Sequence, residues 1–370
     1  MRAAVWRTAD QPVVVMDVDL APPKAGEVEV AIAAAGVCHS DLHLVRGAWA
    51  VPTPVILGHE GSGIVTAVGA GVTGLAEGDH VVLSWVPSCG ECRQCRRGRT
   101  SQCQTAATVT APGGVLFDGT SRFSIGGEPA YHYCAVSSFA ERVVVPASGA
   151  IRVRKDAPLD VIALVGCAVP TGVGAVLNTA RVEAGATVAV IGCGGVGLCV
   201  IQGARLAGAS RIIAVDIVGS KLDMALRLGA TDSVNGSEVP VLEALADAVP
   251  EGLDYVFDAI GKIETTQQAI RAIGPAGAAV IVGLPPTGKT ATFEPLAIAE
   301  ANQRILGSNY GSTNAAVDFP RLVDLYMDGS LDLDALVTAR RPLEEAREAL
   351  ENLAGGQVLR QLLVNDVSGL

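Results

Sequence analysis

Four cysteines that fall within one short stretch of the chain offer the clearest chemistry in the sequence. They are Cys89, Cys92, Cys95 and Cys103. Four thiolates at this spacing suit a closed tetrahedral zinc site that cross-links a loop with few apolar residues of its own. A redox Cys-x-x-Cys pair would leave two thiols unused, and an iron–sulfur cluster is a further alternative. The spacing therefore predicts a structural zinc ion.

A glycine-rich turn that follows an apolar segment and precedes a predicted helix is the second motif. Its residues are Gly192, Cys193, Gly194, Gly195, Val196 and Gly197. The first glycine of such a motif makes a tight turn, the second lets a pyrophosphate approach the backbone, and the third lets the helix pack on the strand. The pattern, in this context, predicts a dinucleotide site.

Asp216, at the end of the next predicted strand, bears on which dinucleotide binds. A carboxylate there accepts the hydroxyls of the adenine ribose and repels a 2′-phosphate, so NAD is favoured over NADP. Lys221 could add a second ribose contact. The ordinary alternatives are a helix N-cap for Asp216 and a solvated side chain for Lys221.

Cys38, His59 and Cys167 could supply a second set of metal ligands, although they are far apart in the chain. Three protein ligands of the Cys2His type leave one position open, as a catalytic zinc ion requires. Spacing alone does not assemble this set. His59 could be a core histidine, and Cys167 could be a small buried apolar residue, as we expect for Cys134 and Cys199. Cys193 has the same expectation.

Two regions of the chain with different residue patterns predict the strands and helices that position these residues. At 370 residues the chain exceeds one ordinary core, so we expect two domains. Short β-rich segments, such as Glu27–Ala33, Gly63–Val68 and His80–Leu83, predict a rolled β domain in the first 150 residues. From about Ala184, short apolar strands alternate with helical stretches, which is typical of a parallel α/β sheet.

The composition indicates what kind of partner to expect. A net charge of −11 argues against a broad grip on nucleic acid or on an anionic membrane surface, so we expect a small-molecule partner. The longest strictly apolar run, Val188–Ile201, is shorter than the ~18 to 20 residues of a membrane span. No secretory signal is evident, and nine cysteines cannot all pair within one chain. A cytoplasmic protein is therefore expected.

The motifs around these residues resemble those of the zinc-containing alcohol dehydrogenases of the medium-chain dehydrogenase/reductase superfamily, over essentially the full length. They are Gly36–His43, Gly58–Gly63, the four-cysteine loop, Asp118–Phe123 and Cys167–Gly172. The resemblance implies an α/β fold in which residues 1–168 and 310–370 form a GroES-like, β-rich catalytic domain. Residues 169–309 would form an inserted, doubly wound Rossmann domain that binds NAD. The long stretch between Cys103 and Phe139 is similar to the long-chain class I and class III group, which favours a homodimer over a tetramer.

The resemblance also implies roles for individual residues. Cys38, His59 and Cys167 match the catalytic zinc ligands, so that each chain would hold two zinc ions, and Glu60 matches an alternative ligand. Asp41 matches the carboxylate that orients the ligand histidine. Ser40 and His43 match the two ends of a relay that carries the proton of the alcohol to solvent.

For the cofactor, the resemblance implies contacts outside the glycine-rich turn. His39 and Arg360 match residues that contact the pyrophosphate of NAD. Thr171 and Val196 match positions beside the nicotinamide ring.

The substrate alcohol is the open question at this stage. Class III members carry an arginine soon after the last cysteine of the structural loop and acidic residues at the pocket entrance, but residues 104–110 hold no arginine and residues 47–52 hold no carboxylate. The positions that match the substrate pocket are apolar or aromatic: Trp49, Trp85, Leu116 and Leu284. Such a pocket favours a hydrophobic primary alcohol of aromatic, terpenoid or medium-chain type. Ordinary core packing is the alternative for both tryptophans.

Three other functions stay open on the sequence. Two are enzymatic: a dehydrogenase of S-(hydroxymethyl)glutathione, the formaldehyde adduct, and a nicotinoprotein that holds NAD through turnover. The third is a non-catalytic binding protein with the same fold. The presence of all seven predicted zinc ligands, together with Ser40 and His43, argues against the third.

Overall fold

The computed structural model describes residues 1–9, 11–285, 287–356 and 358–369. The chain divides into two units. One consists of Met1–Cys167 with Asn314–Leu370, and the other is Ala168–Thr313. The expected boundaries lay after residues 168 and 309, and the observed ones lie after Cys167 and Thr313.

The described strands, in chain order, are β1 (Arg2–Trp6), β2 (Val14–Asp17), β3 (Asp19–Leu20), β4 (Glu27–Val37), β5 (Val55–Ile56), β6 (Gly61–Val68), β7 (His80–Leu83), β8 (Phe123–Ile125), β9 (Glu128–His132), β10 (Arg142–Pro146), β11 (Ala150–Arg152), β12 (Thr187–Ile191), β13 (Arg211–Asp216), β14 (Asp232–Asn235), β15 (Leu253–Asp258), β16 (Ile273–Ile281), β17 (Arg304–Gly307), β18 (Val337–Pro342) and β19 (Arg360–Val364).

The described α-helices are α1 (His39–Val45), α2 (Ala111–Gly113), α3 (Leu159–Ile162), α4 (Ala168–Gly174), α5 (Gly195–Leu206), α6 (Gly219–Arg227), α7 (Val241–Ala248), α8 (Ile263–Ala272), α9 (Pro295–Glu300), α10 (Ala315–Met327) and α11 (Ala346–Ala354).

The first unit is built on two sheets of mixed direction. One has the strand order β2-β1-β5-β9-β8-β3, and the other has the order β11-β7-β6-β4-β19-β18, with β10 also paired to β4. Successive side chains of a strand point to opposite faces, and the long strand β4 uses both. Val28 and Ile32 enter one core cluster, whereas Ala35 and Val37 enter a second cluster that includes residues of α11. Because β4 is covered on both faces, its end is a rigid platform for Cys38.

The second unit is a parallel sheet with the strand order β14-β13-β12-β15-β16-β17. The order reverses beside β12, because β12 pairs with β13 on one side and with β15 on the other. In open α/β sheets, ligands bind outside the carboxyl ends of the strands at such a switch point. The glycine-rich turn follows β12 and therefore lies at that point.

No single helix in the described ranges is both long and apolar enough to cross a membrane. One bent pair, Leu159–Gly166 with Ala168–Ala180, meets the criterion on length and composition alone.

Candidate functional site

Three segments of the first unit bring Cys38, His59 and Cys167 together. Cys38 is the N-cap of α1 at the end of β4, His59 lies in the loop between β5 and β6, and Cys167 directly follows the turn Ala163–Gly166. Their candidate ligand atoms all lie within 4.8 Å of one another. All three residues are at least nine-tenths buried. The set that spacing could not assemble is therefore one cluster in the fold.

Asp41 holds this cluster in place through three hydrogen bonds. Its carboxylate accepts the backbone N–H of Cys38 at 3.2 Å and that of Gly58 at 3.1 Å, and its Oδ1 lies 3.2 Å from His59 Nδ1. Asp41 is fully buried. A carboxylate on one ring nitrogen of a histidine fixes the tautomer and leaves the other nitrogen for a metal.

The donor set fits a zinc ion. His59 Nε2 is buried and has no hydrogen-bond partner among the described residues. Burial by itself would lower the pKa of His59, but Asp41 and Cys38 raise this pKa well above its usual value. The pKa of Cys38 is held well below its usual value, first by the hydrogen bond with Cys167 and further by His59 and Arg360. Both shifts indicate that the cluster favours a positive charge, which a dication bound by two thiolates and an imidazole would supply.

Glu60 and Arg360 form a buried ion pair next to this cluster. Glu60 is fully buried, and the side chain of Arg360 is 4% exposed. Gly36 makes room for the pair, because a Cβ atom there would lie 2.4 Å from Glu60 Oε2. The resemblance implied that Arg360 contacts the pyrophosphate of NAD, and this stays a prediction; in the structure its guanidinium binds the carboxylate of Glu60.

Helix α1 carries the two residues implied in proton transfer. Ser40 is half-buried and His43, nearly one turn later, is exposed. The hydroxyl of Ser40 makes no hydrogen bond within the described part of the chain. The ring of Trp49 lies beside that of His43, with 5.6 Å between the centroids. The helix thus leads from the cluster at its N-cap towards solvent.

Tyr133 was not predicted from the sequence, yet it contacts both α1 and the cluster. Its Oη donates a hydrogen bond to the carbonyl of Ser40 at 3.1 Å. Its ring meets the ring of His59 edge-on, at 5.5 Å and 84°. No spacing pattern predicts such a residue, because four strands separate it from His59 along the chain.

The four-cysteine loop is already folded around its thiols. The four sulfur atoms lie within 4.8 Å of one another. Several backbone N–H groups point at them, including that of Cys92 to Cys89 Sγ at 3.3 Å and that of Cys95 to Cys92 Sγ at 3.4 Å. Burial opposes ionisation of Cys89, but hydrogen bonds from Thr105 and the backbone lower its pKa to about 6. The pKa of Cys92 is also lowered, by backbone hydrogen bonds, whereas burial raises that of Cys95 to about 12. The loop therefore stabilises the thiolates of Cys89 and Cys92, as a structural zinc ion requires.

The glycines of the glycine-rich turn in the second unit differ in their surroundings. Gly192 has a φ of 100°, in the region that side chains avoid. A Cβ atom at Gly194, the N-cap of α5, would meet nothing within 4 Å, so the space for a ligand is open there. A Cβ atom at Gly197 would lie 1.7 Å from the carbonyl oxygen of Gly192, so helix and turn pack in direct contact. Gly195 and Val196 are the first two residues of α5.

Asp216 ties the end of β13 to this turn. Its Oδ2 accepts the backbone N–H of Cys193 at 2.7 Å, and its Oδ1 accepts those of Ile217 and Val218 at 2.8 and 3.0 Å. Lys221 follows in the first turn of α6 and is half-buried. The carboxylate and the glycine turn thus form one continuous rim at the carboxyl ends of β12 and β13.

The other predicted cofactor and pocket residues lie in several elements. Thr171 is half-buried in α4, His39 is exposed at the start of α1, and Leu284 is 59% exposed after β16. Trp85 is half-buried and packs against the core cluster of the first unit. Leu116 is fully buried against Ala135 and Val144, so it does not face an open pocket.

Two family models match the chain. The model described as "Alcohol dehydrogenase GroES-like domain" matches residues 24–155, and the model described as "Zinc-binding dehydrogenase" matches residues 195–328. Among curated relatives, the chain is 40% identical to "Probable S-(hydroxymethyl)glutathione dehydrogenase 1" of Schizosaccharomyces pombe, over 97% of this chain and 95% of that protein. It is 39% identical to "Alcohol dehydrogenase class-3" of Drosophila melanogaster, over 98% of this chain and 97% of that protein.

Solved structures of related proteins agree with the family models and the curated relatives. A zinc-binding-domain alcohol dehydrogenase from Burkholderia ambifaria matches with a TM-score of 0.95 at 37% identity, over 99% of this chain and 98% of that one. Benzyl alcohol dehydrogenase from Acinetobacter calcoaceticus matches with a TM-score of 0.94 at 32% identity, over 99% of each chain. The predicted fold class, with GroES-like and Rossmann-like parts, is confirmed. The chain belongs to the zinc-dependent alcohol dehydrogenases of the medium-chain dehydrogenase/reductase superfamily.

Proposed function

We propose that this enzyme transfers hydride between NAD and a hydrophobic primary alcohol, with one catalytic and one structural zinc ion per chain. The observation that carries the proposal is the convergence of Cys38, His59 and Cys167 beside a helix that bears Ser40 and His43. These three residues would hold a zinc ion, which would lower the pKa of a substrate hydroxyl group, and bound NAD would supply the hydride acceptor.

The residues of α1 supply the path for the proton. The Ser40 hydroxyl, which has no partner among the described residues, is available to hydrogen-bond the substrate hydroxyl. The exposed imidazole of His43 can pass the proton to solvent. Asp41 keeps His59 oriented, and the Glu60 carboxylate is neutralised by Arg360.

NAD is our proposed cofactor, in preference to NADP. Gly194 leaves room for a pyrophosphate at the N-terminus of α5, Gly192 and Gly197 allow the tight turn beside it, and Asp216 places a carboxylate where a 2′-phosphate would be repelled. One solved relative, a putative zinc-binding dehydrogenase from Sinorhizobium meliloti at 29% identity and a TM-score of 0.81, is bound to NADP. The test is turnover of this enzyme with NAD and with NADP, and we expect the higher kcat/KM with NAD.

The aromatic side chains Trp49 and Trp85 support a hydrophobic alcohol. Trp49 lies beside His43, at the exposed end of the proposed proton path. The benzyl alcohol dehydrogenase among the structural relatives acts, by its name, on an aromatic alcohol. We expect kcat/KM to be higher for benzyl alcohol and octanol than for ethanol. We also expect Trp85→Ala to favour bulky alcohols over ethanol, and an unchanged ratio would remove Trp85 from the pocket.

S-(hydroxymethyl)glutathione is the second candidate substrate, because the curated relatives at about 40% identity carry that name or the class-3 name. Against it stands the segment 47–52, which holds no carboxylate, and the segment 104–110, which holds no arginine. Formaldehyde tested with and without glutathione separates the two. A rate with the adduct that exceeds the rate with benzyl alcohol would make the adduct the substrate. If denaturation of the purified protein released bound NAD, the nicotinoprotein alternative would gain.

We also propose a homodimer located in the cytoplasm. Strand β17 is at the edge of the parallel sheet, and Ile305 on it is 37% exposed. Phe293 and Leu296 nearby in the chain are at least half exposed, and an uncovered apolar edge strand is a template for pairing with another chain. We expect Ile305→Lys to yield monomers in sedimentation experiments. None of the nine cysteines, all of which lie in the described ranges, forms a disulfide bond, as is usual in a reducing compartment.

A further inference from the structure

We propose that Tyr133 is a positioning residue that fixes the proton-relay serine, Ser40, relative to the zinc ligand His59. This proposal rests on the proposed function. Tyr133 lies outside the family motifs quoted above, and all of its contacts described below are within the first unit.

The two ends of the Tyr133 side chain hold different elements. The hydroxyl donates a hydrogen bond to the backbone carbonyl of Ser40, and the ring packs edge-on against the ring of His59. Tyr133 is 4% exposed, so its phenol has little contact with bulk water that would compete for this bond. One side chain thus sets the position of the α1 backbone relative to His59.

The need for such a restraint follows from α1 itself. The helix has only seven residues, and isolated helices of this length are unstable in water. The hydroxyl of Ser40 has no partner among the described residues that would fix its direction. Its direction therefore depends on the backbone position, to which the phenol is bonded.

The segment that follows Tyr133 has a strained but fixed backbone. Cys134, Ala135 and Ser137 have φ values of 53°, 56° and 59°, a region that residues other than glycine rarely adopt. The hydroxyl of Ser137 accepts the N–H of Tyr133 at 2.9 Å and donates to the carbonyl of Ile56 at 3.0 Å. Strain of this kind persists only where the surroundings over-determine it, and it clusters at functional sites.

The next residue extends this connection to the zinc-ligand loop. Ser138 donates its hydroxyl to the carbonyl of Glu60 at 3.1 Å and its backbone N–H to the carbonyl of Gly58 at 3.0 Å. His59 lies between these two acceptors. The Tyr133–Ser138 segment therefore binds the loop that carries His59 through Ser138, and it binds α1 through the phenol of Tyr133.

The test compares Tyr133→Phe with Tyr131→Phe. The control removes the same hydroxyl from a half-buried tyrosine whose Oη has no hydrogen bond among the described residues. In Tyr133→Phe we expect kcat for benzyl alcohol to fall about three- to tenfold, as for the loss of one buried hydrogen bond, with the zinc content unchanged. We expect no such fall in the control. Equal rates in the two variants would overturn the proposal.

A double-mutant cycle separates positioning of Ser40 from a general structural effect. If the phenol acts through Ser40, Tyr133→Phe should lower kcat by less than about twofold when Ser40 is already alanine. The same factor in both backgrounds would overturn the proposal.

A readout that does not need turnover keeps this test distinct from that of the proposed function. We expect amide hydrogen exchange in residues 38–46 to speed up in Tyr133→Phe and to stay unchanged in Tyr131→Phe. Absence of alcohol oxidation by the wild-type enzyme would refute the proposed function, whereas unchanged exchange in Tyr133→Phe would refute the role of Tyr133. A Tyr133→Leu variant, which also removes the ring, should release zinc faster to a chelator than Tyr133→Phe.

Discussion

Arg360 and Glu60, 300 residues apart in the chain, form a buried ion pair beside the zinc-ligand cluster. The pairing of strands brings them together. Strand β19 pairs with β4 so that Gln361 lies opposite Val37, and Val37 directly precedes Cys38. Strand β19 thus places the guanidinium of Arg360 next to the buried carboxylate of Glu60.

This pair makes Arg360→Met a sharp test of the site's electrostatics. The change would remove the positive charge that pairs with the buried carboxylate of Glu60, and breaking a buried ion pair in this way costs about 3–5 kcal/mol in other proteins. We expect a loss of stability of this order in urea unfolding of the zinc-loaded enzyme. The control is Arg340→Met, whose guanidinium pairs with Asp160 at 2.7 Å at the surface, and there we expect less than about 1 kcal/mol. Equal losses in the two variants would contradict the account.

Asp41→Asn should weaken zinc binding without unfolding the first unit. An amide cannot accept hydrogen bonds with both of its polar atoms, so at least one of the contacts to Cys38, Gly58 and His59 is lost. Removal of such a carboxylate typically costs about 10- to 100-fold in metal affinity. The measurement is competition with a chelator, with Asp79→Asn as control, because Asp79 accepts a backbone N–H outside both clusters. Identical zinc affinities in the two variants would argue against the role of Asp41.

The reactivity of the cysteines towards iodoacetamide should divide them into classes. Burial raises the pKa of Cys193 and of Cys199 to about 12 and that of Cys134 to about 11. Because the thiolate is the nucleophile, these thiols stay protonated and unreactive at pH 8, and their reactivity rises only as the pH approaches 11. Mass spectrometry should find the four loop cysteines labelled after chelation and protected before it. Labelling of Cys199 in the native enzyme at pH 8 would show that this prediction is wrong.

Asp216→Asn should change the choice of cofactor. The amide nitrogen cannot accept the N–H of Cys193, and the charge that repels a 2′-phosphate is lost. We expect KM for NAD to rise about tenfold or more, as for the loss of a charge-assisted hydrogen bond, and the preference for NAD over NADP to shrink. Asp254→Asn is the control. Asp254 accepts the N–H of Thr187 at the start of β12, at the opposite end of that strand from the glycine-rich turn. An unchanged ratio of kcat/KM for the two cofactors would refute this role of Asp216.

Features that are local in the chain could be predicted from the sequence. The four thiols of the loop lie within fifteen residues, so their spacing alone indicated a common metal. Strand β7 has the predicted bounds His80–Leu83, and β4 begins at Glu27 as predicted. The apolar residues of both strands are buried, and β4 also buries Glu27 at its start.

Features that depend on tertiary pairing could not be predicted from spacing. The grouping of Cys38, His59 and Cys167 came from the family resemblance, because only the fold of the first unit brings them within reach of one metal ion. The partner of Arg360 depends on the register between β19 and β4. Tyr133 was missed because its conformation depends on left-handed backbone at Cys134, which no composition rule announces for a residue other than glycine.

Initial rates of NADH formation from benzyl alcohol test the central claim most directly. The enzyme would be compared as purified with zinc, after removal of zinc by a chelator, and as the Cys38→Ser variant. We predict turnover with NAD in the zinc-loaded enzyme, loss of turnover on chelation, its return when zinc is restored, and at least about a hundredfold lower rate in the variant. Turnover that persists in the variant or without zinc would contradict the assignment of Cys38, His59 and Cys167 as the catalytic metal site.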